Sequence, residues 1–165
     1  MEDGSTALCL AAAQGHLDVV RSLCHVCVDV NQPLTDGSTP LSLAVQRRNL
    51  DVIHFLWQSS ADIDRPSRDG TTPLIIATQR GHAEIVKLLC GLGAGQHQAS
   101  DGSMPLVVAA THGHANVAAL LCEAKADVDA VTGGATALSV AAQHGFASIV
   151  CLLCELGASQ SAVKG

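Results

Sequence analysis

An all-α solenoid of helix–turn–helix units is predicted by three recurring features of the sequence. Turn glycines fall at Gly4, Gly37, Gly70, Gly102 and Gly134, at steps of 33, 33, 32 and 32 residues. Each precedes a helix-start triplet: Thr6-Ala7-Leu8, Thr39-Pro40-Leu41, Thr72-Pro73-Leu74, Met104-Pro105-Leu106 and Thr136-Ala137-Leu138. Further on, the pairs Val19-Val20, Val52-Ile53, Ile85-Val86, Val117-Ala118 and Ile149-Val150 each lead to a leucine, at 23, 56, 89, 121 and 153. A small residue recurs between them, at Ala11, Ala44, Ala77, Ala109 and Ala141. Self-similarity at such a period marks stacked units that bury a continuous core only against their neighbours. The registers define one domain, 1–165, with units at about 2–34, 35–67, 68–99, 100–131 and 132–158 and a tail at 159–165.

Each unit reads as a turn, a short helix, a tight loop, a longer helix and an extended turn. In the first, Thr6 is placed to cap the opening helix, because a Thr hydroxyl satisfies an orphan N–H of the first turn. Gly15 ends that helix, since glycine enters the left-handed conformation without cost. Asp18 places a negative charge at the start of the second helix, where the dipole favours it. In the second unit Pro40 takes the first helical position, where its missing N–H costs nothing. The slot of the helix-ending glycine holds Arg48, which costs about 1 kcal/mol in a left-handed conformation; the neighbouring Asn49 is expected to adopt it instead. Val45 replaces a small alanine, and Trp57 stands where the other units have cysteine.

The third unit is complete, from the turn Asp69-Gly70 through the loop Gly81-His82 to the close at Gly93-Ala94. The fourth has Met104 in the Thr slot, so its first helix is weaker by roughly 1 kcal/mol unless Ser103 substitutes as cap. The fifth opens at Gly133-Gly134 and ends near Ala158, and the small polar tail is expected to fray. The short alternating runs 28–31 and 61–64 belong to paired turns and not to a sheet with its own core.

The stretch Asp69–Ala94, DGTTPLIIATQRGHAEIVKLLCGLGA, resembles one complete ankyrin repeat. Thr72-Pro73-Leu74 and Ala77 match the family signature T-P-L-H-x-A, with Ile75 in the His slot. The resemblance covers about residues 2–158. It implies an all-α ankyrin-repeat solenoid of five repeats joined by β-turn fingers. It also implies a concave face, lined by first helices and fingers, at which protein partners bind.

Composition narrows the function. The net charge is −6, and the nine basic residues form no dense run. Duplex DNA or RNA is thus a poor partner, since affinity there rests on phosphate neutralisation. No run of 18 apolar residues is present, so no membrane insertion is expected. The opening Met1-Glu2-Asp3-Gly4 lacks the basic and apolar regions of a secretory leader. With seven cysteines, an odd number, the chain is expected to be intracellular and cytoplasmic, with its thiols reduced.

No catalytic constellation stands out. The sequence has neither a G-x-S-x-G elbow nor a phosphate-cradling G-x-x-x-x-G-K-S/T loop. Cys24, Cys90, Cys122 and Cys154 share one slot and form a column on the second helices. Helices 8–10 Å apart are too distant for disulfides or a shared zinc, so these residues are expected to be small core hydrophobes. Cys9, Cys27 and Cys151 share no C-x-x-C spacing with one another, although Cys24 and Cys27, and Cys151 and Cys154, are so spaced. His16, His82, His114 and Phe146 occupy the slot after the loop glycine, a packing position between repeats in the family. No metal and no cofactor are expected.

The candidate partner-binding residues follow from the resemblance. Gln14, Gln46, Arg47, Arg48, Gln79, Arg80, His112 and His144 sit at the ends of first helices. Leu34, Asp36, Asp69 and Asp101 lie in the fingers. Together they predict a polar groove, basic along the helix ends and acidic at the turns, suited to a protein or peptide. The solvated-face alternative, with hydrogen-bonded turn aspartates, stays open from sequence alone. Asn31, in LCHVCVDVN, resembles the acceptor of ankyrin asparaginyl hydroxylation. The reading is non-catalytic protein–protein recognition. The alternatives are a structural spacer within a longer ankyrin protein and, less favoured, a metal- or cofactor-dependent enzyme. Interior-like apolar patterns at both ends predict either a longer array or end-to-end self-association.

Overall fold

The computed structural model describes residues 7–26, 29–96 and 102–159. Gly4, Thr6, Cys27, Val28, Asp101 and the tail 160–165 lie outside the described residues. Among those described, ten helices form five pairs. These are α1 (Ala7–Gln14) with α2 (Leu17–His25), α3 (Pro40–Arg47) with α4 (Leu50–Gln58) and α5 (Pro73–Gln79) with α6 (Ala83–Gly91). After them come α7 (Pro105–Thr111) with α8 (Ala115–Glu123), and α9 (Ala137–His144) with α10 (Ala147–Glu155).

The triplets start the helices as their chemistry requires. Thr39 Oγ1 accepts from the Ser42 N–H at 3.1 Å, and Ser42 Oγ accepts from the Thr39 N–H at 2.9 Å. Thr136 and Ser139 repeat this reciprocal cap, with serine in place of the usual Glu or Gln. Thr72 accepts from the Ile75 N–H. Met104 makes no side-chain cap to α7. Its own N–H instead donates to Thr132 Oγ1 of the next finger, at 3.1 Å. That finger is a short antiparallel hairpin, β1 (Val131–Thr132) with β2 (Ala135–Thr136), Val131 opposite Thr136.

First helices pack in a row, α1 on α3 on α5 on α7 on α9, and second helices form the row behind them. In that rear row α4 and α6 approach less closely than α6 and α8 do. The core lies between the rows. Leu41, Ala44, Leu74, Ala77, Ile85, Val86, Leu89, Leu106, Ala109 and Leu121 are all buried, as their slots predict. Burial of this slot depends on the preceding pair: Val19, in the first pair, is 48% exposed, whereas its equivalents Val52, Ile85 and Val117 are at 1% and Ile149, in the last pair, is at 0%.

Two expectations are corrected. Arg48, not Asn49, takes the left-handed conformation, with φ 63°. Asn49 keeps φ −86° because its side chain is occupied elsewhere: Nδ2 donates to the carbonyls of Ala12 and Ala13 at 2.8 and 3.1 Å. The cysteine column is only in part core: Cys24, Cys90 and Cys122 pack against the core cluster without being fully buried. Those three are half-buried and Cys154 is exposed, because the slot lies on the flank of the second helix.

Side chains tie each pair to the next. The slot after the loop glycine reaches back to cap the preceding first helix, whose last carbonyls lack intrahelical partners. Asn49 does so on the first pair, and His114 Nε2 lies 3.0 Å from the Gln79 carbonyl. A Cβ on Gly113 would stand 2.7 Å from the Phe146 ring, so the loop admits little besides glycine there. In the extended turns, Asn31 Oδ1 accepts from the Asp62 N–H, Asp64 Oδ1 from the Gly95 N–H and Asp129 Oδ1 from the Ser159 N–H. Fingers also stack directly: the Arg68 N–H donates to the Asp36 carbonyl at 3.0 Å. A Cβ on Gly37 would lie 2.5 Å from that Arg68 nitrogen.

Candidate functional site

The second and third pairs, with their fingers, enclose an open depression of about 710 Å³ on the side of the first helices. Five of the sequence-predicted residues line it: Asp36, Gln46, Asp69, Gln79 and Arg80. Arg47 adjoins it through a smaller recess of about 190 Å³ shared with Gln46 and Arg80. Ile76 contributes an apolar floor, in the slot held by Leu43 one pair earlier.

The fold explains the two rims. At the finger rim the aspartates are parts of turns. Asp36 Oδ1 accepts from the Ser38 N–H at 2.8 Å, and Asp69 Oδ1 accepts from the Thr71 N–H at 3.1 Å and the Ser67 hydroxyl at 2.7 Å. The Ser67 and Thr71 bonds hold the Asp69 carboxyl below its ordinary range, because they favour the charged form. Both aspartates remain exposed, so the charge of each still faces solvent. At the opposite rim, Arg47 ends α3 and Arg80 caps α5. Cations there suit the negative end of the helix dipole. His82, beside them, is half-buried. Burial, then the Arg48 and Arg80 guanidiniums, hold its imidazole below the ordinary histidine range, against a hydrogen bond with the Gln46 backbone.

The other described candidates lie apart from this depression. Gln14 is exposed at the end of α1. Leu34 is half-buried under the second finger, its N–H bonded to the Ser38 carbonyl. Arg48 lines a separate depression with Gly15 and Asn49. His112 and His144 are pinned to their own helices, each Nδ1 lying 2.9 Å from the carbonyl four residues back. Their rings stack on His114 and Phe146. Asp101 lies outside the described residues. Asn31 has both amide atoms engaged with the next turn, Nδ2 with the Ser60 carbonyl and Oδ1 with the Asp62 N–H.

Sequence reasoning missed Ser38, Ser67, Arg68 and Thr71, all of which line the depression. A signal existed: each flanks a turn Asp-Gly. Among the described residues, no group of three or more His, Cys, Asp or Glu side chains is placed to hold a metal ion. No described helix is long and apolar enough to cross a membrane.

A comparison with curated proteins returned no match. The family described as ankyrin repeats (3 copies) matches over residues 8–98, 59–132 and 91–163. These spans run through all five helix pairs, and the pairs stack with fingers on one side as the motif resemblance implies. Ankyrin repeats are generally protein–protein interaction modules and typically non-catalytic. The chain belongs to the ankyrin-repeat family.

Proposed function

We propose that this chain is a non-catalytic recognition module whose groove between the second and third fingers and α3 and α5 holds a protein or peptide segment. The observation that carries the reading is the convergence of Asp36, Gln46, Asp69, Gln79 and Arg80 on one open depression. Concave sites with a few placed polar groups over an apolar floor are where ligands gain orientation as well as contact. Long side chains on rigid helix ends supply those groups, and the stacked fingers hold the opposite wall.

Site-specific photo-crosslinking tests it. A benzophenone side chain at Gln79, inside the groove, should trap a discrete protein partner in cells. The same group at Lys87, exposed on α6 in the rear row, should not. Equal crosslinking from both positions, or from Lys87 alone, would refute the groove as the binding face.

A further inference from the structure

The groove is electrically divided along its width. Asp36 and Asp69 stand on the finger side together with one cation, Arg68, and Arg47 and Arg80 stand on the helix-end side, so the finger rim is net negative and the helix-end rim positive. Gln46 and Gln79 present amides near the basic rim. Arg80 lines both the main depression and the recess that holds Arg47, so one continuous surface joins the carboxylates to the guanidiniums. Arg47 and Arg80 have no carboxylate partner among the described residues, although the chain carries six more negative than positive charges. Two unpaired guanidiniums flanked by carboxamides form a donor-rich pocket for oxyanions, because the guanidinium fork matches a carboxylate or phosphate in two-point geometry.

We infer that the groove takes an extended segment of opposite polarity to its own, with an acidic side chain seated between Arg47 and Arg80 and a basic side chain of the same segment against Asp36 and Asp69. This rests on the groove reading above and adds the chemistry of the occupant. The anion is a side-chain carboxylate or a phosphate on a side chain, which share the same two-point acceptor geometry. His82 beside this rim is held below its ordinary range first by burial and only then by the Arg48 and Arg80 guanidiniums.

The test is affinity selection of an N-acetylated, C-amidated nonapeptide library, with phosphoserine included, on the immobilised full chain. Wild type should enrich Asp, Glu or phosphoserine at one position and Lys or Arg a few residues away. Glu over phosphoserine identifies a carboxylate seat, and the reverse a phosphate seat. In Arg47→Gln/Arg80→Gln the acidic preference should disappear and the best wild-type peptide should bind about tenfold more weakly. In Asp36→Asn/Asp69→Asn, where each amide oxygen still serves its turn, the basic preference should disappear while the acidic one persists. Enrichment without an acidic preference, or an acidic preference that survives the double arginine change, overturns the inference and leaves the groove reading standing. If no peptide is enriched over blank resin, both fall together.

Discussion

Replacing Arg48 by glycine should stabilise the protein. Arg48 holds φ 63° and ψ 33° at the end of α3, whereas Gly15, Gly81, Gly113 and Gly145 close the other first helices at similar angles. A left-handed L-residue costs about 1–2 kcal/mol. Glycine removes that strain but adds unfolded-chain entropy of about 0.4–1 kcal/mol. The net gain is therefore about 0.5–1 kcal/mol. The backbone bonds that close the helix, Arg48 N–H to Val45 and Asn49 N–H to Ala44, do not depend on the side chain. A gain of this size raises Tm by about 1–4 °C in a chain of this length. Urea unfolding followed by Trp57 fluorescence reports directly, since Trp57 sits on α4, which follows this loop. Lys125, at φ 65° after α8, is the control, because Lys125→Gly relieves the same strain away from the groove. If Lys125→Gly raises the midpoint and Arg48→Gly does not, the Arg48 side chain makes a compensating contact and the strain account is wrong. If Arg48→Gly stabilises and leaves partner crosslinking intact, the second unit's departures are ordinary divergence with no functional part.

Leu89→Ala, at a fully buried position, should cost about 2–5 kcal/mol by lost transfer energy plus cavity; an unmoved urea midpoint would show the register to be wrong. Thr78 buries a hydroxyl with no hydrogen-bond partner, so the isosteric Thr78→Val should leave the midpoint equal or higher, and a clear loss would reveal a partner for that oxygen. His82 is held below the ordinary value of 6.5 by burial and then by Arg48 and Arg80. A depressed folded pKa gives stability that is complete above the unfolded value and lost as pH falls through the folded one. The urea midpoint should thus decline as pH falls below the ordinary value of 6.5, less steeply in His82→Gln; identical slopes would remove His82 from the account. Among the thiols, exposed Cys151 and Cys154 should react with a disulfide reagent first. Cys24, Cys90 and Cys122 should lag, because burial pushes their pKa up, and equal rates would contradict this.

The helix pairs were legible because a solenoid writes its core into the sequence at a fixed interval. Leu74, Ala77, Ile85 and Leu89 recur at the same offsets in neighbouring units, and burial follows the offset. The side-chain ties between units were less legible. Asn49 reads in isolation as a residue tolerant of positive φ, and only the stacked geometry shows that its amide is committed to the end of α1. The cysteine column has a periodicity indistinguishable from that of a core residue. Its half-buried place depends on which flank of the second helix faces outward, which a spacing of 32 or 33 residues does not encode. In the groove, periodicity identified the helix-end residues and the turn aspartates. It could not show that His112 and His144 fold back onto their own carbonyls, nor that Ser67, Arg68 and Thr71 join Asp69 in lining the depression.

The separation of charge across the groove has an origin in folding, and that origin indicates which charges inform on the partner. Asp36 and Asp69 accept bonds from the N–H groups two residues on, so each would be placed there by the turn whether or not anything bound. Asp69 is further committed to Ser67. Arg47 and Arg80 gain a modest, salt-screened benefit from the helix dipole, and no turn or loop bond requires them. Their slots hold His112 and His144 in the fourth and fifth pairs, where the side chain satisfies a carbonyl of its own helix. The arginines of the second and third pairs thus keep unpaired donors at the same place where the later pairs consume theirs. Selectivity for a partner is therefore expected to reside at the helix-end rim of the second and third pairs, with the finger aspartates supplying a charge that the fold itself already demands.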